Sequence, residues 1–255
     1  MREPIVPSKL YKYQSCNDYA LINLKQRVLW FSRFQEFNDP FDCDINFSIT
    51  DVTEENLNKM LADLRKSEGD ASFPNSDKFK ENVINSAHLS TELIKTFYWK
   101  DIGVACFSEI NDSILMWSHY ANSHKGFCME FDTQFYPFKQ DGGDFLYKVD
   151  YPESNLYPPL SLSDILQEKL PRLSRIILTT KSWHWSYEKE WRILFGLAGG
   201  RAYPFDVAGL TAIYFGCRID SEHKKFITSL ASDLPIRLIQ MQRSKHGFEI
   251  LPEES

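Results

Sequence analysis

The chain has 255 residues, a formal charge of -6 and a sequence pI near 5.6. This length supports one large domain or two small ones, with a core that needs no disulfide or metal. The acidic balance argues against a protein that coats nucleic acid nonspecifically, because such binding sums many Lys and Arg contacts with phosphates. It is still compatible with a local basic groove.

The cysteines and the N-terminus indicate the compartment. The five cysteines are scattered and never form a CxxC pair, which favours reduced thiols over a disulfide framework or a zinc site. The first residues, MREPIVPSKLYKY, lack the apolar core of a signal peptide, and no run approaches the roughly 20 apolar residues of a spanning helix. We therefore expect a cytoplasmic protein with no membrane partner.

The first part of the chain predicts strands interrupted by a helical insertion. FNDPFD, residues 37–42, predicts a turn, because Asn, Asp and Pro favour turns. Hydrophobic periodicity predicts the other elements. They are a strand at Leu10–Tyr13, a helix at about Asp18–Gln26, a strand at Val28–Phe31, and two helices at about Thr53–Arg65 and Asp77–Tyr98 that form an inserted cap.

The rest of the chain returns to β structure. The predicted strands are Gly103–Ser108, Gly126–Asp132, Phe145–Tyr151, Leu210–Phe215 and Ile236–Gln240, and the helices are Ser113–Ala121, Ser163–Thr179 with an interruption at Pro171, and about Ser221–Ala231. Strands outnumber what helical crossovers can link, so we expect an α+β fold with a mixed, mostly antiparallel sheet. We predict a single domain, 1–255, with a helical insertion at about 53–100.

The most informative segment is Trp183–Arg192, with the sequence WHWSYEKEWR. As one extended strand, it would place its aromatic residues on one face and Glu188, Glu190 and Arg192 on the other. Neighbouring carboxylates repel each other unless a charged or hydrogen-bonding group faces them. The pair is either a structural ion cluster or a pair of carboxylates that stabilises positive charge on a sugar ring.

Two segments near the N-terminus hold further candidates. Lys12 lies between Tyr11 and Tyr13, which suits a phosphate or ribose with a base stacked beside it, although an edge strand with a solvated lysine is the simpler interpretation. FNDPFD is by itself a structural turn. Its position after a strand that ends at Ser32 leaves a role in a site open.

The segment from Cys106 to Tyr120 combines CFSE with MWSHY and is the densest in candidate residues. Adjacent residues on a helix do not face each other, so Ser118 and His119 do not predict a hydrolase triad. His119 either binds a ligand or is a satisfied polar residue, and the sequence favours neither.

Together, the blocks LYKY, LWFSRFQEFNDPFDC, CFSE, LMWSHYANSHKGFCMEFD and WSYEKEWR closely resemble a widespread bacterial family of unknown function, over about Leu10–Ile193. The chain is also distantly similar to ADP-ribosyltransferases. Those enzymes place His or Arg on an early strand, Ser, Thr or Tyr on a middle strand and Glu on a late one, within ExE where arginine is modified. This resemblance implies a split β-sandwich that clasps NAD.

The resemblance also implies roles for individual residues. Glu190 corresponds to the catalytic glutamate that holds the nicotinamide ribose, and Glu188 to the partner that assists the acceptor. Lys12 stands where His or Arg is usual, and either Ser32 or Ser108 fills the middle position. The other implied NAD-binding residues are Arg192, which with Lys12 meets the pyrophosphate, Asn38 and His119, and Tyr13, Trp117 and Tyr120, which stack on nicotinamide or adenine.

We therefore predict an ADP-ribosyltransferase-like enzyme that consumes NAD as a substrate and modifies a nucleic acid or a protein. The implied setting is a bacterial toxin or anti-phage effector, with an antitoxin or regulatory protein as a further partner. One alternative is a nuclease that holds a divalent metal through Asp39, Asp42, Glu188 and Glu190. Another is an interaction module with structural carboxylates. No GxGxxG fingerprint is present, so a Rossmann dehydrogenase is not predicted.

Overall fold

A computed structural model of the chain describes residues 4–43, 48–50, 53–55, 58, 62, 78, 81–86, 99–139, 145–154, 156–157, 159–161 and 170–253. The strands are β1 Lys9–Gln14, β2 Val28–Phe31, β3 Ser48–Thr50, β4 Gly103–Ser108, β5 Phe127–Asp132, β6 Leu146–Lys148, β7 Pro159–Ser161, β8 Glu190–Phe195, β9 Arg201–Pro204, β10 Leu210–Phe215, β11 Arg237–Arg243 and β12 Ile250–Pro252. The α-helices with defined ends are α1 Asp18–Gln26, α2 Ile114–Tyr120, α3 Leu170–Leu178 and α4 Ser221–Leu230. The 3₁₀ helices are Phe34–Glu36, Trp183–Glu188 and Val207–Gly209.

Eight strands form one sheet, in the order β12-β11-β10-β5-β1-β4-β8-β6. Its neighbouring strands are antiparallel except for β10 and β11, which are parallel and are joined through α4, because a parallel pair needs a crossover. Strands β2 and β9 form a second sheet, and β3 and β7 a third. The mixed, mostly antiparallel α+β class is confirmed, whereas the predicted sandwich is not confirmed.

The large sheet opens between β1 and β4. Strand β1 pairs with β5 along its whole length but meets β4 at a single described position, Tyr11 opposite Ser108. Strand β4 instead pairs fully with β8 on its other side. Backbone groups that lose a ladder partner must be satisfied in another way. At the opening, the Cys106 carbonyl accepts a hydrogen bond from Lys12 Nζ at 3.1 Å.

Helices cover both faces of the sheet at β5. Phe127, Met129 and Phe131 belong to one buried core, which includes apolar residues of α1 and α4. Cys128 belongs to a second core, with Trp117 of α2. Because side chains alternate along a strand, the two cores lie on opposite faces. This explains why β5 is buried on both sides.

Side-chain caps explain where the helices begin. Asn17 accepts a hydrogen bond from the Ala20 amide, Ser113 from the Met116 amide, and Asp220 from the amides that follow it. The predicted bounds of α1, β2, β4 and β10 are confirmed.

Several predicted elements lie partly outside the described residues. Of the two cap helices, residues 54–55, 58, 62, 78 and 81–86 are described and are helical, and the single-domain organisation stays a prediction. Helix α3 contains Pro171, and the first part of the predicted Ser163–Thr179 helix lies outside the described residues. No described helix has both the length and the apolar character needed to cross a bilayer.

The main correction concerns WHWSYEKEWR, which is not one strand. Trp183–Glu188 is a 3₁₀ helix, and β8 begins only at Glu190. The Ser182 side chain accepts a hydrogen bond from the His184 amide at the helix start, and Lys189 ends the helix with a left-handed φ of 46°. The predicted alternation is therefore wrong, and Trp183 is 47% exposed whereas Trp191 is buried.

Gly126 is required where α2 returns to β5. A Cβ at this position would lie 2.0 Å from the Gln14 carbonyl oxygen, a backbone atom. We expect Gly126→Ala to lower the free energy of unfolding by about 3 kcal/mol, because the strand must shift to relieve the clash. Urea denaturation measures the loss. In the control Gly196→Ala, the new Cβ meets nothing within 4 Å, and equal stability of the two variants would contradict the prediction.

Candidate functional site

A cavity of about 150 Å³ lies at the opening between β1 and β4. Strands β1 and β4 line it, and so do residues from segment 37–42, α2 and segment 181–190. A cavity of about this volume holds one ring-sized group such as benzene. Glu190 lines it together with Lys12 and Tyr13, so the late acidic motif and the early tyrosine-rich strand do meet across one cleft.

The acidic wall of the cavity is organised around the Lys181 ammonium. Its Nζ lies 2.6 Å from Glu188 Oε2, 3.2 Å from Asp42 Oδ2 and 3.4 Å from Glu190 Oε2. The side chains of Lys181 and its three partners are almost fully buried. Lys181 follows α3 and is held in place because its amide donates to the Asp150 carbonyl at 3.0 Å. One cation therefore faces three carboxylates, which removes much of their mutual repulsion.

Arg192 anchors this wall from behind. It is completely buried, and it forms bidentate hydrogen bonds to Glu190 at 2.9 Å and to Asp42 at 2.7–2.8 Å. A further donor contacts the Leu178 carbonyl at 2.8 Å. All five guanidinium N–H donors are thereby satisfied. The prediction that Arg192 meets the NAD pyrophosphate is therefore wrong, since no donor is left and no surface is exposed.

Glu188 and Glu190 have opposite pKa shifts. Burial raises the pKa of Glu190, but the neighbouring Arg192 and Lys181 lower it by more, so that the net pKa is about 2. For Glu188, burial raises the pKa, Lys181 opposes this effect, and Glu190 adds to it, so that the net pKa lies above the usual 4.5. Carboxylates whose environments separate their pKa values are typical of sites where one stays ionised and the other exchanges a proton.

Tyr120 and Ser108 position Glu188. The Tyr120 hydroxyl donates to Glu188 Oε1 at 2.5 Å, and the Ser108 hydroxyl donates to the Glu188 carbonyl at 2.7 Å. The neighbouring Glu190 amide donates to the Tyr151 hydroxyl at 3.0 Å. These contacts hold the turn at Lys189, and so both carboxylates, against the cavity.

Lys12 and Tyr13 contribute to the facing wall from β1. Burial lowers the pKa of Lys12, whose ammonium lies 5.0 Å from the centre of the Phe107 ring. The Tyr13 hydroxyl donates to the Ile110 carbonyl at 2.9 Å. Lys12 is therefore not a solvated lysine on an edge strand, which was the simpler interpretation of the segment Tyr11–Tyr13.

The structure brings together seven of the predicted site residues and leaves four outside. Ser32 forms a backbone bridge with Val104, so Ser108 is the serine that reaches the cavity. Trp117 is fully buried and donates to the Asn111 carbonyl, which leaves no face for a ligand. His119 is exposed and packs near the rings of Trp185 and Tyr187. The residues outside are Ser32, Trp117, His119 and Arg192, and those lining the cavity are Lys12, Tyr13, Asn38, Ser108, Tyr120, Glu188 and Glu190.

Sequence reasoning missed Lys181 altogether and missed the structural role of Asp42. Lys181 follows two threonines and belongs to no sequence motif that would indicate a role in a site. Asp42 belongs to FNDPFD, but nothing in that turn signals a partner 150 positions away. The position of Asp42, directly after a strand and a turn, was the one indication in the sequence that it has a role in the site.

A second cavity, of about 420 Å³, also has Lys181 in its lining. Trp185, His184 and the exposed Phe41 contribute to its lining. Lys181 lines both cavities, and its ammonium lies 4.9 Å from the centre of the Trp185 ring. The two spaces therefore share a cation at their common wall.

The comparisons with known proteins identify part of this region. Residues 116–193 match the family model DUF2971, described as a protein of unknown function. No curated protein and no solved structure matches the chain significantly. The match confirms the resemblance to a family of unknown function for these residues, which include Tyr120, Lys181 and both glutamates. The similarity to ADP-ribosyltransferases stays a prediction.

The two bidentate hydrogen-bond pairs of Arg192 predict that its substitution strongly lowers the free energy of unfolding. We expect Arg192→Lys to lower the free energy of unfolding by about 3–5 kcal/mol, because lysine keeps the charge but cannot form the bidentate bonds. Chemical denaturation measures it. Arg33→Lys is the matched control, since Arg33 is exposed and contacts Glu36 at 3.5 Å, and we expect it to be nearly neutral. A neutral Arg192→Lys would show that the cluster contributes little.

Proposed function

We propose that the protein is an NAD-consuming ADP-ribosyltransferase-like enzyme that modifies a nucleic acid or a protein. The observation that carries this proposal is the pair of carboxylates with opposite pKa shifts on one wall of a ring-sized cavity, facing Lys12 and Tyr13. We further propose that the opening between β1 and β4 corresponds to the split in the β-sandwich of such enzymes. The single pairing of Tyr11 with Ser108 supports this correspondence.

The proposed reaction breaks the bond between the nicotinamide nitrogen and the ribose, and nicotinamide leaves with the bonding electrons. Positive charge then develops on the ribose, where an ionised Glu190 carboxylate stabilises it. The acceptor forms a bond to the same ribose carbon and gives its proton to Glu188. The raised pKa of Glu188 suits this exchange better than the low pKa of Glu190 does.

The remaining contacts with NAD are assigned by position. Lys12 supplies a cation at the cavity, where it can meet ribose or phosphate oxygens. Tyr120 and Tyr13 border a space for one ring, which suits nicotinamide with part of its ribose. Since this cavity is too small for a dinucleotide, the larger cavity that Lys181 also lines is our candidate for the rest of NAD.

The nuclease alternative has weaker support. Asp42, Glu188 and Glu190 converge on the Lys181 ammonium, which lies where a divalent cation would be shared. Asp39 instead accepts a hydrogen bond from the Phe41 amide at 2.9 Å, within its own turn. Within the part of the chain that the structure describes, no group of three or more His, Cys, Asp and Glu residues is arranged to hold a metal ion.

The role of Glu190 is tested by Glu190→Gln. We expect nicotinamide release from NAD to fall at least about a hundredfold, because the neutral amide cannot stabilise the developing charge. Glu130→Gln is the matched control. Glu130 is equally buried and accepts from Lys9, Thr211 and Tyr214, but it lies outside the cavity. Its variant should lose some stability and keep the turnover of each folded molecule.

Two results would contradict the assignment. Undiminished turnover by a folded Glu190→Gln protein would remove Glu190 from the chemistry. A wild-type protein whose melting temperature is unmoved by saturating NAD, and which releases no nicotinamide with nucleic-acid or protein acceptors, would favour the interaction module.

The role of Glu188 as the proton acceptor predicts a pH dependence. The base must be ionised, so kcat/KM should rise with pH through the pKa of Glu188, which lies above 4.5, and should fall as pH is lowered through it. Glu188→Gln should lower the rate and remove this ascending limb. Glu109→Gln, which alters a carboxylate paired with Lys148 outside the cavity, should keep the limb. An ascending limb that persists in Glu188→Gln would assign it to another group.

A further inference from the structure

A wide groove, separate from both cavities, lies between the turn after α2 and the β11–β12 hairpin. It has a volume of about 1120 Å³. His124, Arg218, Arg243, Lys245 and Phe248 contribute to its lining, and none of them belongs to the site described above. A drug-sized ligand occupies a pocket of about 300–1,000 Å³, so this groove suits part of a longer molecule.

The groove is positively charged although the chain is acidic overall. Arg218, Arg243 and Lys245 are exposed there, and none of them forms an ion pair with any residue that the structure describes. Glu249 is the acidic residue in the lining. Three unpaired cations around one concave surface repel each other, and a bound anion relieves that repulsion.

The turn that brings His124 to the groove has an unusual backbone conformation. Asn122, Ser123 and His124 have successive φ values of 46°, 56° and 67°, in the left-handed region that non-glycine residues rarely occupy. The His124 amide donates to the Trp117 carbonyl at 3.0 Å, and its carbonyl accepts from the Arg218 amide at 2.9 Å. Strain of this kind persists only where surrounding contacts enforce it, and it is concentrated at functional sites.

The His124 side chain carries a buried nitrogen atom without a hydrogen-bond partner among the described residues. Its Nε2 lies 3.1 Å from the Ser118 hydroxyl oxygen, whereas its buried Nδ1 has no hydrogen-bond partner among the described residues. Burial and the nearby Arg218 lower the pKa of His124, which favours the neutral ring. If the Ser118 hydroxyl donates to Nε2, the Nδ1 proton has no acceptor among the described residues.

The rim of the groove carries an isolated aromatic ring. Phe248 is 99% exposed, in the hairpin between β11 and β12. Every nucleic-acid base has a face on which such a ring can stack, and exposed bases are available in single strands. We propose that this groove binds single-stranded nucleic acid, with Arg218, Arg243 and Lys245 on consecutive phosphates and Phe248 stacked on a base. An acidic peptide would use the cations but would leave the ring without a partner.

The groove and the small cavity both border α2. Ile114 lines the groove, whereas Met116 and Tyr120 line the cavity. Strands β1 and β11 are three places apart in the sheet, a separation of roughly 14 Å at 4.8 Å per strand. A strand bound in the groove could extend to the cavity. That it is the ADP-ribose acceptor rests on the proposed function, whereas the binding itself does not.

Fluorescence polarisation with a labelled oligothymidylate of about 12 nucleotides tests the binding. With three phosphates neutralised, we expect log K to fall with log salt at a slope of about -2. Arg218→Gln and Arg243→Gln should each make that slope shallower by about 0.7. Phe248→Ala should weaken binding about five- to a hundredfold with the slope unchanged. The controls Arg201→Gln and Tyr19→Ala alter exposed residues outside the groove and should change neither quantity.

Three outcomes would overturn the proposal. They are no binding at low salt, binding that the groove variants leave unchanged, and equally tight binding of labelled polyglutamate, which would indicate an acidic protein partner. All the altered side chains are exposed, so the variants should fold, and their melting curves check this. Glu190→Gln should bind the oligonucleotide like the wild type. If the wild-type protein binds the oligonucleotide but does not turn over NAD, that result would sink the proposed function and leave the groove assignment intact.

Discussion

The site depends on the buried bidentate hydrogen bonds that Arg192 forms with Glu190 and Asp42. Moving a guanidinium and its carboxylate partners out of water costs several kcal/mol for each ion, and only complete pairing offsets that cost. Arg192 achieves it by bonding Glu190 on its own strand, Asp42 from the turn after β2, and the Leu178 carbonyl at the end of α3. Three distant segments are thereby held together behind the cavity, and Glu190 cannot change its orientation without losing these bonds.

The opening of the sheet beside these hydrogen bonds turns a structural ion cluster into an accessible one. A fully paired β1–β4 ladder would bring the strands to about 4.8 Å and leave no space between them. Because they meet only at Tyr11 and Ser108 among the described residues, Lys12 occupies the gap and satisfies the Cys106 carbonyl. The carboxylates behind the opening are held in place by Lys181 and Arg192, yet they line a space that a ligand ring can enter. Fixed charge at a dry cavity stabilises developing charge more effectively than mobile water does.

Much of the fold could be predicted from sequence, because each strand and helix has a local signature. Helix α1 and strands β2, β4 and β10 follow from periodicity and caps within a few residues. The prediction for WHWSYEKEWR was wrong because its alternating pattern fits a strand. The Ser182 cap and the left-handed backbone of Lys189, which define the 3₁₀ helix, are local features that an alternating pattern does not reveal. Lys181, and the pairing of Asp42 with Arg192, could not be predicted, since they depend on contacts between segments that no sequence period connects. Glu188 and Glu190 do lie together, but through a turn and a shared lysine.

The distribution of charge links the two functional surfaces. A net charge of -6 repels a polyanion at long range, so an enzyme that acts on nucleic acid needs a local cationic approach. Arg218, Arg243 and Lys245, which form no ion pair with the residues that the structure describes, supply it in the groove, whereas the charges of the acidic wall are already paired by Lys181 and Arg192. Because those carboxylates are neutralised by buried cations, they repel an approaching phosphate less than bare acids would. An acidic site can therefore lie next to a basic groove on one sheet, with each surface keeping its own sign.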